Sequence, residues 1–373
     1  MKVLIVVNHA GFFLSHRLPV ALAAKARGWE VHIATPRSKH VPRIEAAGLQ
    51  WHPIRLSRSG LNAFAELRTI VDLVRLYRAI RPDVIHHVTT KPVLYGTLAA
   101  RIARMPAVVN ALAGLGHVFY DSGANRLLRS VVLAGYSLAL RHPNVHFIFQ
   151  NDEDRDVFLQ RRWVHRDAVT MIRGSGVDVE RFVPAPRIEG VAPTVVLASR
   201  LLYTKGVPEY VEAARRLRRR GSSARFVIVG EPDPDNPGSI PLGQLQAWAE
   251  EGSVEYWGRR EDMPEVLAAA EVFCLPTYYR EGVPKAIIEA AACALPVVTT
   301  DTPGCRDIVR DGENGLLVPP RNVDALEQAL EKLLADPELR RRMGDAGRLR
   351  VMQDFSLSQV VDATLRVYED LRG

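Results

Sequence analysis

The feature that most constrains the fold of this chain is a succession of short strands, rich in valine and isoleucine, that alternate with helix-length segments. The first series contains KVLIVVN, EVHIATP, LQWHPIRL, DVIHHV, AVVNAL, VHFIFQ and AVTMIRG, and the second contains TVVLASR, ARFVIVG, VEYWG, EVFCLPT, PVVTT and GLLVP. Short apolar strands that are each followed by a helix are typical of parallel sheets covered by helices on both faces. The chain is therefore predicted to be an α/β protein.

A proline-containing segment, FVPAPRIEGVAP at residues 182–193, separates the two series and is predicted to be a linker. A chain of 373 residues is also too long for one ordinary hydrophobic core. We therefore predict two doubly wound, Rossmann-like domains, residues 1–183 and 190–355, that face each other across a cleft. The final helix, residues 356–373, is predicted to pack back on the first domain. Ligands of such sheets bind beyond the carboxyl ends of the strands.

Composition indicates a cytoplasmic protein. The chain starts directly with a strand-like segment, which predicts that there is no signal peptide, and its longest apolar run, residues 131–140, is too short to span a bilayer. The cysteines have neither the spacing of a disulfide framework nor that of a metal site. They are expected to be reduced, small apolar residues: Cys274, Cys293 and Cys305.

Positive charge is concentrated in the first part of the chain. Residues 1–183 carry 25 lysines and arginines against 13 acidic residues, a net charge of +12, whereas residues 184–373 have a net charge of −5. Such asymmetry suits an anionic partner, although a solvated arginine-rich surface has the same composition. Nucleic-acid binding is not expected, because basic residues are not interleaved with aromatic ones. Arginines flank the apolar segments RTIVDLVRLYRAIR and NRLLRSVVLAGYSLALR, which predicts peripheral contact with the inner face of the cell membrane unless these helices face the core.

Four charged residues are predicted to meet at the carboxyl edge of the second sheet. Arg200 ends the first strand of that domain and Lys205 precedes a helix, and two cations beside a helix N-terminus suit a diphosphate. Glu281 lies in the loop after EVFCLPT, and Glu289 lies in the second turn of the helix that Pro284 opens. Because a carboxylate does not hold a phosphate, both glutamates are predicted to bind hydroxyl groups. Each of the four residues, considered alone, could equally be an ordinary charged residue on the protein surface.

These segments resemble the retaining glycosyltransferases of family 4, which have the GT-B fold. The resemblance rests on SRLLYTKG, FVIVGEP, VEYWG, residues 262–267, EVFCLPTYYREGVPKAIIEAAACALPVVTTD and PGCRDIVRDGENGLLVPP. In the first domain it rests more loosely on NHAGFFLSHRLPVALAAKARGWEVHIATP and DVIHHVTTKPVLYGTLAA. The chain looks closest to members that extend lipid-linked or surface saccharides, including N-acetylgalactosaminyltransferases that act on polyprenyl-diphosphate sugars.

The resemblance implies transfer of a sugar, an N-acetylhexosamine, from a UDP-sugar with retention by front-face attack and with neither metal nor cofactor. Arg200 and Lys205 would neutralise the donor diphosphate and the departing charge. Glu289 would bind the ribose hydroxyls, and Glu281 those of the transferred sugar. The donor site would also include Gly11, Gly230, Gly282 and Val283.

Contacts to the acceptor or to the transferred sugar are less well defined by the resemblance. Family members often carry a histidine just before the glycine that aligns with Gly114, whereas this chain has Ala113. His117 is one candidate to replace that histidine. The other candidate contacts are His9, His86 and His87, of which the last two are predicted to end a strand at the edge of the cleft.

Two other functions remain open. A nucleotide-sugar 2-epimerase of the same architecture would need acid and base groups lining the cleft and would not depend on an acceptor. A non-catalytic nucleotide-sugar-binding subunit would keep the contacts of Arg200 and Lys205 without turnover. The D-x-D pattern of Asp233 and Asp235 matches a metal-binding motif, but its proline-rich surroundings favour a turn. The absence of G-x-G-x-x-G after the first strand argues against a dinucleotide dehydrogenase.

Overall fold

The computed structural model describes residues 1–56, 63–112, 114, 137, 140–186, 190–234, 236–279 and 281–372. The chain divides into two compact units. The first comprises Met1–Ser175 together with Ser358–Gly373, and the second comprises Gly176–Leu357. Each unit has its own parallel sheet and its own buried core.

The strands of the first unit are β1 (Lys2–Val7), β2 (Glu30–Thr35), β3 (Gln50–Pro53), β4 (Val84–Val88), β5 (Val108–Leu112), β6 (Val145–Phe149) and β7 (Val169–Met171). They form a sheet in the order β3-β2-β1-β4-β5-β6-β7, and every neighbouring pair is parallel. The helices are α1 (Ala10–His16), α2 (Leu18–Ala26), α3 (Val41–Ala46), α4 (Ala63–Ile80), α5 (Thr97–Ala103) and α6 (Asp152–Gln160). A π-helical segment, Pro92–Gly96, precedes α5, and a 3-10 turn, Arg166–Ala168, precedes β7.

The strands of the second unit are β8 (Thr194–Ala198), β9 (Arg225–Val229), β10 (Glu255–Gly258), β11 (Val272–Leu275), β12 (Val297–Thr300) and β13 (Gly315–Val318). Their order, β10-β9-β8-β11-β12-β13, is again all parallel. A 3-10 turn, Tyr203–Lys205, follows β8. The helices are α7 (Val207–Arg219), α8 (Leu242–Glu250), α9 (Met263–Ala268), α10 (Lys285–Ala292), α11 (Pro303–Ile308), α12 (Val323–Ala335) and α13 (Pro337–Asp354).

Both sheets are doubly wound, which confirms the predicted fold class. In each, the strand order reverses beside the first strand, between β1 and β4 in the first unit and between β8 and β11 in the second. In the second unit the strands are buried between two clusters of apolar side chains, one on each face of the sheet. A ligand of such a sheet binds at the reversal point, beyond the carboxyl ends of the strands.

The boundary between the units lies earlier than the predicted linker. Val177 N donates to Phe355 O at 3.0 Å, and Leu357 N donates to Val177 O at 2.8 Å. Phe182 is buried in the apolar cluster of the second unit. Residues 176–186 therefore belong with the second sheet, because their apolar side chains and backbone hydrogen bonds find partners there.

The C-terminal helix α14 (Leu357–Arg372) packs within the first unit from Ser358 onwards. Tyr368 is fully buried, and Arg27 of the first unit forms ion pairs with Asp362 and Glu369 at 3.5 and 2.8 Å. None of the described helices is both long enough and apolar enough to cross a membrane. All three cysteines are free and buried, as the composition indicates.

Gly206 allows a test of how closely the loops after β8 and β11 pack at the carboxyl edge of the second sheet. Its φ is +75°, and a Cβ atom built there would lie 2.1 Å from Pro276 O, in the loop after β11. We expect Gly206→Ala to lower the free energy of unfolding by about 3 kcal/mol, since left-handed strain and a backbone clash add. Urea denaturation of the purified variant measures this loss.

The matched control is Gly221→Ala. Gly221 has a φ of +88°, but a Cβ atom there meets nothing within 4 Å. This variant should lower the free energy of unfolding by only about 1 kcal/mol, the cost of a left-handed backbone conformation for alanine. Equal losses in the two variants would contradict the close packing of the loops after β8 and β11.

Candidate active site

The centre of the candidate site is an ion pair between Lys205 and Glu281. Lys205 ends the 3-10 turn after β8, and its side chain is only 7% exposed. Its ammonium group donates a hydrogen bond to Glu281 Oε1, and Thr277 Oγ1 lies 3.2 Å from the same oxygen. Because β8 and β11 are neighbours at the reversal point, the loops that follow them bring these residues together.

Thr277 fixes the loop that carries Glu281. Its side chain is fully buried, and its Oγ1 also lies 3.2 Å from Thr204 O in the turn after β8. Tyr278 N donates to Thr204 O at 3.0 Å, and Thr300 Oγ1, at the end of β12, donates to Thr277 O. Three neighbouring strand ends are thereby tied into one surface. Thr277 was not predicted from the sequence, although its place two residues after β11, at the carboxyl edge of the sheet, could have pointed to it.

Arg200 lies in the same loop after β8 as Lys205 but is more exposed. Its side chain is 52% exposed, and its Nη1 is 3.6 Å from Asp233 Oδ2 in the loop after β9. Gly230, which follows that strand, has a φ of +145°, and a Cβ atom there would lie 2.1 Å from Ser199 O. Gly230 is thus required because the loops after β8 and β9 run against each other.

Glu289 lies on α10, one turn beyond the loop of Glu281. Its side chain is 15% exposed, and Lys285 Nζ is 3.1 Å from its Oε1. Gly282 is covered by α11, since a Cβ atom on Gly304 would lie 1.9 Å from Gly282 O. Val283 is buried in the apolar core, so its side chain contributes packing. The structure therefore brings the second-domain candidates to one edge of one sheet.

The electrostatics of nearby groups agree with this geometry. Burial raises the pKa of Tyr279, the charge of Glu281 raises it further, and the charge of Arg200 lowers it. The phenol is therefore neutral at pH 7. The pKa of the Cys305 thiol is also raised, mainly by burial, with Glu281 raising it and Lys205 lowering it.

In the first unit, Gly11 lies next to two imidazole rings. His9 follows β1 and caps α1, with its Nδ1 accepting a hydrogen bond from Phe12 N at 3.2 Å. The ring of His40 lies 5.8 Å from that of His9, centroid to centroid. A Cβ atom on Gly11 would lie 2.9 Å from His9 and 3.2 Å from His40. Gly11 and His9 were predicted from the sequence, whereas His40 was not, because no local pattern distinguishes it.

His86 and His87 do not lie where the sequence analysis placed them. Both are inside β4 rather than at its edge, and both are fully buried. His86 Nδ1 is hydrogen-bonded to the Tyr368 hydroxyl, whereas the ring nitrogens of His87 lie 2.9 Å from the Tyr77 hydroxyl and from Asn110 Oδ1. Burial lowers the pKa of His87 to about 3, so the ring is neutral. The prediction that one of them contacts an acceptor is corrected: both are core groups of the first unit.

Three residues singled out from the sequence lie outside the described residues: Ala113, His117 and Asp235. Within the described part of the chain, no group of three or more histidine, cysteine or acidic side chains is placed to hold a metal ion. Asp233, the described half of the D-x-D pattern, contacts Arg200 as given above.

Two family matches together span most of the chain. The family described as glycosyl transferases group 1 matches residues 178–350, and the glycosyl transferase 4-like family matches residues 2–151. The GDP-mannose-dependent alpha-(1-6)-phosphatidylinositol monomannoside mannosyltransferase of Mycolicibacterium smegmatis is 31% identical over 305 residues, which cover 71% of this chain and 78% of the relative. The chain belongs to the group 1 glycosyl transferases. The predicted family is confirmed.

Two further similarities extend over the whole length of this glycosyltransferase. The N,N'-diacetylbacillosaminyl-diphospho-undecaprenol alpha-1,3-N-acetylgalactosaminyltransferase of Campylobacter jejuni is 28% identical over 378 residues, with 97% of each chain covered. The crystal structure of HepE from Anabaena in complex with UDP-glucose has a TM-score of 0.78 at 19% identity and covers 100% of this chain and 99% of that one. The structural similarity shows the GT-B fold.

The ion pair at the centre of the site leads to a stability prediction. Lys205→Met leaves the carboxylate of Glu281 without its cation, and we expect a loss of roughly 2 kcal/mol in the free energy of unfolding. The double variant Lys205→Met/Glu281→Gln removes both charges and should recover most of that loss. Urea denaturation of the wild type, the two single variants and the double variant measures the coupling free energy between the two side chains. Losses in the free energy of unfolding that simply add would contradict a direct pairing.

Proposed function

We propose that this glycosyltransferase transfers a sugar, with retention, from a UDP-sugar to a lipid-linked saccharide during the synthesis of a surface glycan. The observation that carries the proposal is the joining of Lys205 and Glu281 at the reversal point of the second sheet. A cation for a diphosphate and a carboxylate for sugar hydroxyls are in contact there. Such a pair suits a ligand that has both groups, which is a nucleotide-diphosphate sugar.

Binding of the donor would redistribute the charges of the site. The diphosphate would attract the ammonium of Lys205 and the more exposed guanidinium of Arg200, and the Glu281 carboxylate would accept hydrogen bonds from the transferred sugar instead. Stabilisation of the departing nucleoside diphosphate by fixed cations lowers the barrier of the transfer. We propose that these two cations act in place of a metal ion. We expect the protein to remain active in the presence of a chelator. Strong inhibition by the chelator would contradict the proposal that Arg200 and Lys205 act in place of a metal ion.

Retention follows in this proposal from attack on the same face from which the nucleotide leaves. The acceptor hydroxyl forms the new bond to the anomeric carbon while the bond to the diphosphate oxygen breaks, and that oxygen receives the proton of the hydroxyl. Glu281 would hold the sugar during this step, and Glu289 would hold the ribose. Both carboxylates are partly exposed, at 20% and 15%.

The comparisons support the nature of the donor and of the acceptor. The Campylobacter jejuni relative is named as an N-acetylgalactosaminyltransferase that acts on a diphospho-undecaprenol sugar. We infer an N-acetylhexosamine and a lipid-linked acceptor from that name, and a uridine nucleotide from the Anabaena complex with UDP-glucose. The Mycolicibacterium smegmatis relative is named as GDP-mannose-dependent, so a donor screen must include guanosine nucleotides.

The proposed function is tested by nucleoside diphosphate release from the purified protein. A panel of UDP- and GDP-sugars is assayed with and without a lipid-linked saccharide acceptor. Release that depends on the acceptor supports transfer. Turnover of the nucleotide sugar without any acceptor would indicate an epimerase, and tight binding without turnover would indicate a non-catalytic subunit.

Glu281→Gln is the variant that tests the site directly. We expect it to lower kcat by roughly 100-fold, because it removes the charge that faces the transferred sugar. Circular dichroism and the affinity for the free nucleoside diphosphate, measured by calorimetry, should stay near the wild-type values. Lys205→Ala should weaken both affinity and turnover. Near-native turnover of Glu281→Gln would remove this residue from the proposed mechanism.

The exposed face of α4 supports peripheral membrane contact. Its first turns expose Phe64 by 88%, Leu67 by 60% and Val71 by 40%, and Arg68 and Arg75 are exposed on the same helix. Apolar side chains with arginines around them suit a surface of anionic lipid. The second segment that the sequence analysis named for this role, residues 125–141, lies almost entirely outside the described residues.

An open cavity of about 750 Å³ lies beside this face and is lined by Arg37, Arg55 and Arg75. Arg37 follows β2 and Arg55 follows β3, so both belong to the carboxyl edge of the first sheet. Among the described residues that line the cavity, one is acidic, Asp72, whose Oδ2 lies 3.6 Å from Arg55 Nε. Three guanidinium groups against one carboxylate suit an anionic head group, such as the diphosphate of a lipid-linked saccharide.

Vesicle binding tests the face of α4. Phe64→Glu/Leu67→Glu should reduce co-sedimentation with phosphatidylglycerol vesicles by about tenfold, because two apolar contacts are replaced by charges that anionic lipid repels. The control is Leu349→Glu/Met352→Glu, which changes two exposed apolar residues on α13 in the second unit. Equal binding by the two double variants, or equal binding to neutral phosphatidylcholine, would contradict this membrane face.

A further inference from the structure

Lys285 stands where a helix does not favour a cation. It is the first residue of α10, and cations in the first turn oppose the helix dipole. Other helices of the second unit follow the rule, since α7, α12 and α13 have acidic residues in their first turns: Glu209, Asp324 and Glu338. The pair that Lys285 forms with Glu289 is also in the less favourable order, because a glutamate that precedes the lysine stabilises a helix better than the reverse.

Helix stability therefore does not account for this pair. The opposite face of α10 is filled by apolar core, with Ile287, Ile288, Ala290 and Ala291 all buried. Lys285 and Glu289 lie on the remaining edge of the helix and are partly exposed, by 29% and 15%. Residues that break a local rule without a gain in stability are expected at functional sites.

We propose that Lys285 is a positioning residue that holds the carboxylate of Glu289 for the ribose of the donor nucleotide. The inference rests on the proposed function, which assigns the ribose hydroxyls to Glu289. With Lys285 Nζ 3.1 Å from Oε1, that oxygen is held in place and the side chain of Glu289 is kept in one orientation. A carboxylate with one oxygen held by a cation can accept from a ribose hydroxyl through the other oxygen.

The alternative for Lys285 is a direct contact with the phosphates of the donor. The two roles differ in how they depend on the ribose. A phosphate contact contributes equally to UDP and to 2'-deoxy-UDP, whereas an effect through Glu289 contributes mainly when the 2'-hydroxyl is present. The ratio of the two dissociation constants therefore separates them, and a change in fold or stability alone leaves that ratio unchanged.

The experiment measures the affinity of UDP and 2'-deoxy-UDP by calorimetry, or of GDP and 2'-deoxy-GDP if the donor screen selects guanine. The wild type should prefer the ribonucleotide by about tenfold, the effect of one hydrogen bond to a charged group. Lys285→Met should reduce the preference to about twofold, as should Glu289→Gln, because each leaves the ribose without a fixed acceptor. Lys285→Arg keeps a cation and should keep the preference.

The matched control is Lys332→Met, which removes an exposed lysine from α12. It should leave both affinities unchanged. A Lys285→Met variant that weakens both nucleotides equally would overturn the inference in favour of a phosphate contact. The inference would also be overturned if Lys285→Met kept the wild-type preference for the ribonucleotide while Glu289→Gln lost that preference. A wild type that does not distinguish the two nucleotides would instead contradict the assignment of Glu289 in the proposed function.

Discussion

The candidate site depends on one physical interaction, the ion pair of Lys205 and Glu281 beyond the carboxyl ends of β8 and β11. Lys205 is nearly buried, so its charge would be costly without a partner. A buried ion pair adds little stability compared with apolar side chains of the same volume. We therefore attribute this pair to the proposed binding of the donor. Thr277, Gly206 and Gly304 form the surroundings in which the two side chains meet.

The charges of the second unit are paired in a way that matches the proposed ligand. Lys205 is paired with Glu281, Arg200 lies near Asp233, and Lys285 contacts Glu289. Each of these three cations thus lies within 4 Å of a carboxylate oxygen. In the proposed function, a nucleotide sugar offers Lys205 and Arg200 a diphosphate and offers the two glutamates hydroxyl groups. Before the donor binds, the carboxylates compensate the charges of these cations, and this limits the cost of desolvating them.

In the first unit, the candidate residues do not lie together. His86 and His87 are buried in the core, whereas His9 and Gly11 are partly exposed. Two adjacent histidines on a buried parallel strand point to opposite faces, and helices cover both faces of this sheet. His86 and His87 therefore meet Tyr368 and Tyr77, which are fully buried, and neither reaches the edge of the sheet. A sequence pattern cannot show this, because Tyr368 is 282 residues away from His86. His40 was missed for a related reason, since only the turn after β1 brings His9 beside it.

The sequence by itself determined the strand-helix alternation, the restart of the series, and the position of Arg200, Lys205, Glu281 and Glu289 after particular strands. These depend on local periodicity and on parallel strands ending at one edge, and both are legible in the chain. The tertiary structure alone decided that Lys205 pairs with Glu281, that Thr277 joins the loops after β8 and β11, and that residues 176–186 belong to the second unit. Those outcomes depend on contacts between distant segments, and only packing brings such segments together.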